Sequence, residues 1–271
     1  AVFPDADEIA QRYPKTWRTC AGYALDKIDP NAVNLNWLLT GSEGTLAVVT
    51  KIILRLLPLP KVQIDLLVPF DDFEAAAATV KKVLAAVDVP LIIWGTANVE
   101  KDEEVLKKIA EETQGEQLIL GPVEDKNHKG IGAAAMGFGH TLISSSPIDV
   151  NLAKQVNILL ENLGMPMERV IIDPTTGGLG YGLEYTYSVM ERLRMAALNQ
   201  GDDKLQMPII NNVGNEVWKC KEAKQDADEA PTLGDPEKRG IMMEAVAAVS
   251  YLASGADVLI MRHPESIRLT K

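Results

Sequence analysis

VIIDPTTGGLGYGLEYTYSVMERLRMAAL, residues 170–198, decides the fold. Its opening VIID has the length and texture of a strand covered on both faces. A glycine-rich turn, PTTGGLGYG, follows, and from 182 to 198 the apolar residues recur at helical spacing. Strand, turn and helix in that order make one βα unit, which belongs to a parallel sheet with helices packed on it.

The same grammar recurs on both sides. Short apolar runs stand at 91–94 (LIIW), 117–120 (QLIL), 141–144 (TLIS), 208–211 (PIIN) and 257–261 (DVLIM), giving six with VIID. Amphipathic stretches lie between them, at 102–113 with Val105 and Ile109 on one face and at 148–163. Pro147 and Asp149 suit the start of the second stretch, and Gly164 with Pro166 suits its end. Six strands fall short of the eight of a closed barrel. Either the sheet is open or two strands come from upstream.

Upstream the texture changes. TLAVVTKIILRLL (45–57) and VQIDLLV (62–68) are rich in β-branched residues and are separated by LPLPK, which predicts strands of a mixed or antiparallel region. FEAAAATVKKVLAAV (73–87) is strongly helical. The polar segment 221–239, with Pro231, Gly234 and Pro236, reads as an exposed loop before the last long helix. The expected organisation is a fragment at 1–74 and a barrel at 75–271.

Composition bounds the function. The chain has 271 residues, 46% hydrophobic and 24% charged, and begins at Ala rather than Met, as a fragment or processed chain would. No run approaches the roughly 18 apolar residues of a membrane span, and the start lacks signal-peptide character, so a cytoplasmic protein is expected. The net charge of −11 argues against nucleic acid and anionic membranes as partners. Cys20 and Cys220 are the only cysteines, too few for an iron–sulfur cluster needing about four thiolates. His128, His140 and His263 show no metal-ligand spacing with either cysteine, so no metal site is expected.

In parallel barrels, ligands gather at the C-terminal ends of the strands. Those positions hold Gly95, Thr96 and Asn98; Gly121, Glu124 and Asn127; Ser145 and Ser146; Asp173, Thr175, Thr176, Gly177, Gly178 and Gly180; Asn211, Asn212 and Asn215; and Arg262 and His263. Amides, hydroxyls and glycine backbone suit the binding of a large polar ligand, and no catalytic residue is assigned. Asp173-Pro174 could equally start a turn, the glycines could serve only a loop, and Asn211 and Asn212 could cap the next helix. GIGAAA (130–135) follows a polar linker and reads as helix packing rather than a dinucleotide fingerprint. Glu184 and Glu191 read as a solvated stripe.

From about residue 79 onward the chain resembles the small subunit of the corrinoid iron–sulfur protein, the delta-type subunit of acetyl-CoA decarbonylase/synthase. The resemblance rests on 78–106, 144–166, 170–198, MPIINNVGNEVWKCKEA (207–223) and GADVLIMRHPES (255–266), in colinear order. It implies an α/β fold, a TIM-type barrel that here lacks its first two strands, and a non-catalytic subunit of a methyl-transfer system. It also implies cobalamin shared with a large subunit that carries the corrinoid domain and the iron–sulfur cluster, with a methyltetrahydrofolate methyltransferase and acetyl-CoA synthase as further partners. The implied corrinoid rim is Thr96, Asn98, Asp173, Thr175, Thr176, Gly177, Gly178, Gly180, Asn211, Asn212 and Asn215. Asp125 to His128 lacks the D-x-H-x-x-G spacing, so His128 is a poor axial ligand.

Residues 7 to about 74 resemble another family, the FAD-linked oxidases of the D-lactate or glycolate dehydrogenase type. YPKTWRTCAGYALDKI (13–28), NLNWLLTGSEGTLAVVTKIILRLLPLPK (34–61) and VPFDDFEAAAA (68–78) carry that likeness. It implies a short α+β segment in which Gly22, Tyr23, Gly41, Ser42, Glu43, Gly44 and Thr45 approach a flavin. The region that would cradle the pyrophosphate is absent from this sequence, so FAD binding is not expected. The alternatives to a methyl-transfer module are a fragment of an FAD-dependent hydroxy-acid oxidoreductase and a mosaic chain with neither activity.

Overall fold

The computed structural model describes residues 73–96 and 98–271, with Lys27, residues 34–39, Ser42 and residues 45–47. The chain divides into two compact units, Ala1–Asp65 and Leu66–Lys271. In the first, α1 (Leu35–Leu39) is followed by a bend in which Thr45 donates from both N–H and Oγ to the Ser42 carbonyl, at 2.8 and 2.6 Å. This local turn corrects the expected strand start at Thr45, because it takes up groups that a ladder would use. Ser42 is buried. Gly22, Tyr23, Gly41, Glu43, Gly44, Cys20 and the runs 48–57 and 62–68 lie outside the described residues.

In the second unit the described residues run from α2 (Phe73–Ala86) and then alternate: β1 (Ile92–Trp94), α3 (Val99–Glu112), β2 (Ile119–Val123), α4 (His128–Phe138), β3 (Thr141–Ser145), α5 (Val150–Leu163), β4 (Val170–Asp173), α6 (Leu183–Asn199) and β5 (Ile210–Asn212). Two short helices, α7 (Val213–Val217) and α8 (Lys221–Lys224), precede α9 (Pro236–Ala253), β6 (Val258–Ile260) and α10 (Pro264–Thr270). All six expected strands are present. The second begins two residues later than its apolar run and continues through Gly121 and a cis Pro122.

Among the described residues every strand pairing is parallel, in the order β1-β2-β3-β4, with β5-β6 as a second piece. A single bridge, Ile172 with Ile209, joins them. Neighbours follow chain order throughout, so this is a sector of a TIM-type barrel. No helix among the described residues is long and apolar enough to cross a membrane.

Strand alternation sorts the side chains. Leu120, Leu142, Val170, Ile172 and Ile209 join the buried cluster with Leu106, Ile109, Val156, Leu160, Met190 and Leu193 of the helices. The opposite parity, Ile92, Trp94, Ile119, Ile143, Ile171, Ile210, Val258 and Ile260, lines the inner face. The helix ends follow the sequence signals. Asp149 caps α5 through the amides of Asn151 and Leu152, and Gly164 ends it at φ +98°. GIGAAA lies inside α4, with Ile131, Gly132 and Ala135 buried.

One expectation needs correction. Segment 221–239 is not a plain loop, since it contains α8, a 3-10 turn at Pro231–Leu233 and the start of α9. Arg239 organises it by donating to the carbonyls of Gln225, Asp226, Ala230 and Gly234. One guanidinium carries five N–H donors and can hold such a loop.

His140 ties the other end of the barrel. It is fully buried, its Nδ1 accepts from Leu118 N at 3.1 Å, and its Nε2 donates to the carbonyl of Ala110 at 2.9 Å. That carbonyl lies in the last turn of α3, where helices leave acceptors unpaired. His140→Ala strands both groups in the core and is expected to lower unfolding stability by about 1–3 kcal/mol. Urea denaturation checks this, and an unchanged midpoint would contradict the tie.

Candidate functional site

The strands end in a mouth whose loops are held by buried carboxylates. After β1, Asp102 reaches back from the first turn of α3 and accepts from Thr96 N (2.7 Å), Thr96 Oγ1 (2.9 Å) and Asn98 N (3.2 Å). Asn98 caps the same helix through Lys101 N. Gly95 makes this possible, because a Cβ there would lie 2.6 Å from the Asp102 carboxyl carbon.

After β5 and β6 the equivalent group is Glu244 of α9, fully buried. It accepts from Trp218 Nε1 at 3.2 Å, from His263 N at 3.1 Å and from Arg262 N. Gly214 supplies the space, since a Cβ would come within 2.8 Å of Arg262 N and 3.0 Å of Glu244 Oε1. The His263 Nδ1 accepts from Glu265 N and starts α10.

Asp173 ends β4. Its register partner is Ser145, and the preceding Ser144 points outward to Asn157 of α5 at 2.7 Å, so Ser145 and Asp173 share the inner face. Ser145 Oγ donates to Asp173 Oδ2 at 2.9 Å, and Thr175 N donates to Oδ1 at 2.9 Å. Thr175 sits in the left-handed region at φ +62°, where its hydroxyl reaches the Ser146 carbonyl at 3.1 Å and its own carbonyl accepts from Thr186. Asp173 is 4% exposed. Burial pushes its carboxyl up to about 6; the bonds from Ser145 and Thr175 oppose the rise, and the charge of Glu216 adds to it.

The remaining expected residues divide. Gly178 and Thr176 are buried in the turn, while Gly177 and Gly180 are exposed. Asn212 accepts from Asn215 N at 3.2 Å and caps α7; Asn215 is exposed, with its amide on Glu216 Oε1. Asn211 is fully buried, with Nδ2 against Met190 Sδ of α6 at 3.5 Å and Oδ1 without a partner. Asn127 is buried and accepts from Glu124 N, and His128 Nδ1 donates to the Asp125 carbonyl. Glu184 and Glu191 are exposed. Ser42 and Thr45 are held in their own turn, and the other flavin-type positions lie outside the described residues. Cys220 is a buried free thiol, pushed up chiefly by burial.

Sequence reading missed Asp102 and Glu244. Signals were present: Asp102 stands four residues after a capping Asn, and Glu244 is the one carboxylate on a face otherwise made of Ala245, Ala247, Ala248 and Tyr251.

The family described as CO dehydrogenase/acetyl-CoA synthase delta subunit matches residues 61–270, which contain every mouth residue described above. The chain belongs to that family. It is 42% identical over 197 residues to the acetyl-CoA decarbonylase/synthase complex subunit delta of Methanopyrus kandleri, covering 72% of this chain and 48% of the relative. Subunit delta 2 of Methanosarcina acetivorans is 39% identical over 205 residues, covering 72% and 46%. The chain thus spans about half the length of the curated relatives it matches. Among solved structures, a Yersinia pestis dihydropteroate synthase bound to a pterine–sulfa conjugate superposes with a TM-score of 0.50 at 14% identity, covering 73% of this chain and 72% of that one. That likeness shows the barrel fold alone.

The delta-family mouth makes a pH prediction. Asp173 rises from 3.8 to about 6 on folding, so its contribution to stability is full below its unfolded value and is lost as pH climbs through about 6. At about 1.4 kcal/mol per unit the loss is about 3 kcal/mol. Asp173→Asn keeps an acceptor for Thr175 and removes the charge. Urea melts should show the variant gaining on the parent between about pH 4 and pH 7, with the difference levelling off above the folded value; a pH-independent difference would contradict the assignment.

Gly95→Ala offers a second check. The added methyl would collide with Asp102, and overpacking of this kind costs about 1–3 kcal/mol. The same melts at fixed pH should show that loss.

Proposed function

We propose that this chain is the barrel module of a methyl-transfer subunit in the acetyl-CoA pathway, seating a corrinoid that is held mainly by a second, corrinoid- and cluster-bearing subunit. The observation that carries the reading is the family match over residues 61–270. The mouth fits the group chemically. Thr96, Asn98, Asn212 and Asn215, the Thr175 turn and the amides of Gly177, Gly178 and Gly180 stand at strand ends where an amide-rich macrocycle can be hydrogen-bonded. The hydroxyl of Ser146, buried and without a protein partner, belongs to the same end of β3.

When bound, the corrinoid supplies the cobalt centre through which the methyl group passes. The work of this chain is positional. Thr175 and the glycine turn present backbone and hydroxyl groups from a fixed loop, and Asn212 holds the start of α7 so that Asn215 stays at the rim. Asp102 and Glu244 keep the flanking loops from closing over the mouth or opening away from it. A methyltetrahydrofolate methyltransferase and acetyl-CoA synthase are the natural donor-side and acceptor-side partners of such a module.

Size-exclusion chromatography of the full chain with a corrinoid-bearing large subunit of the family tests the reading. The two should co-elute at micromolar concentration with the corrinoid absorbance in the shared peak, and Asn212→Ala should weaken retention of the corrinoid without changing the barrel's far-UV spectrum. Separate elution, or flavin bands at one per chain, would overturn it.

A further inference from the structure

The helix α9 is apolar on the side that faces away from the barrel. Its inward side carries Glu244, Ala245, Ala247, Ala248 and Tyr251, all buried. Met242, Val246, Val249 and Ala253 are exposed, the first three to 51%, 58% and 50%. Other sides of the helix are taken, since among the described residues α9 packs against α6, α7, α8 and α10. Between residues 240 and 253 the inward Glu244 is the only Asp, Glu, Lys or Arg. A surface helix turns charged groups to water, and one that is apolar all round is a covered one.

Met242, Val246, Val249 and Ala253 follow one another at steps of four, three and four, the spacing of a coiled-coil seam. At 3.6 residues per turn they lie within about 60° of the helix circumference. Met243, Ser250 and the exposed Leu252 flank the seam, so no charge beside it selects a partner of opposite sign. What covers this face is itself uncharged. The seam also reads alike from both ends: the midpoint of Val246 and Val249 is the midpoint of Met242 and Ala253. An antiparallel copy therefore sets Val246 against Val249, and Met242 against Ala253, so that each layer sums to a similar volume. A parallel copy would set Met on Met and leave Ala facing Ala. Antiparallel pairing also places each helix N-terminus beside the other's C-terminus, which the helix dipoles favour.

We infer that the outward face of α9 is the contact between two copies of this chain, related by a two-fold axis that crosses the seam between Val246 and Val249. Such an axis uses one self-complementary patch on both copies. The area suffices: an 18-residue helix is about 27 Å long, and with neighbouring helices about 10 Å away the face offers on the order of 500 Å² a side. Two such faces reach the roughly 1,000 Å² that a specific interface needs. Each copy carries a net charge of −11, which opposes association, so the dimer should tighten as salt screens that repulsion. The inference is independent of the corrinoid reading, because the seam holds none of the mouth residues.

The test is sedimentation velocity of the full chain across micromolar concentrations at low and high salt. The two-chain species should grow with concentration and with salt. Val249→Glu buries an unpaired charge against the other copy's Val246 and should raise the dissociation constant at least about tenfold while keeping the parent's far-UV spectrum. Val246→Lys together with Val249→Glu in one chain sets opposite charges face to face twice across the axis, and should restore the dimer.

A one-chain mass at every concentration would overturn the inference, as would a dimer that Val249→Glu leaves intact. A dimer lost in Val249→Glu and not regained in the double variant would overturn the two-fold antiparallel pairing. A chain that is monomeric alone and loses a corrinoid-bearing large subunit on Val249→Glu would assign the face to that subunit instead.

Discussion

Three buried carboxylates at the open end of the barrel set the geometry of everything that end can do. Each takes backbone or side-chain N–H or O–H groups from loops that would otherwise have to find water: Asp102 from residues 96–98, Asp173 from Ser145 and Thr175, Glu244 from residues 262 and 263 and the Trp218 indole. Hydrogen bonds to ionised acceptors are worth roughly twice neutral ones. Long loops are thereby given fixed shapes without apolar packing, and the mouth stays polar. The cost falls on the carboxylates, which must be dry and donor-rich at once. Two of them meet that demand, and Asp173 meets it only in part, which is why burial dominates its titration.

The opposite end is tied by cations and neutral groups instead. Arg194 donates to the carbonyls of Gly255 and Met207 and pairs with Asp257, and His140 links α3 to the start of β2. These contacts serve αβ loops, where barrels carry stability rather than chemistry. The division is physical. Helix C-termini and strand starts leave carbonyls short of donors at the closed end, so Arg and His suit it. At the mouth, unpaired amides need acceptors, so Asp and Glu suit that end.

The alternation of strand and helix was legible because periodicity depends on local chain geometry, and the six apolar runs each became a strand. The site was legible only by position. Reading strand ends found Thr96, Asn98, Asp173, Thr175 and Asn212, but could not tell a rim group from a structural one. Asn212 caps α7, and Asn211, its neighbour, turns the other way into the helix layer, a difference fixed by strand parity and not by residue type. Asp102 and Glu244 escaped because their role exists only across 4 to 26 residues of chain brought together by folding. The segment around Arg239 misled for a related reason: its polarity suggested solvent, whereas its carbonyls converge on one guanidinium.

The barrel is also unevenly sewn. β3 and β4 share four register pairs, but β4 and β5 meet at one bridge, supported by Ile172 N on the Pro208 carbonyl at 2.8 Å. This seam runs up to the mouth between Asp173 and Asn212. Below the mouth, Arg194 of α6, the helix that follows β4, reaches across the seam to the carbonyls of Met207 and Gly255 at the bases of β5 and β6. Among the described residues, β1 and β6 pair on one side only, and their inner-face side chains, Ile92, Trp94, Val258 and Ile260, are half-buried. The Asp173 end is set back from both of these edges, on strands with a neighbour on each side. The mouth residues of β3 to β5 therefore stand clear of the outer edges, and the β4–β5 seam beneath them is where the ladder is thinnest.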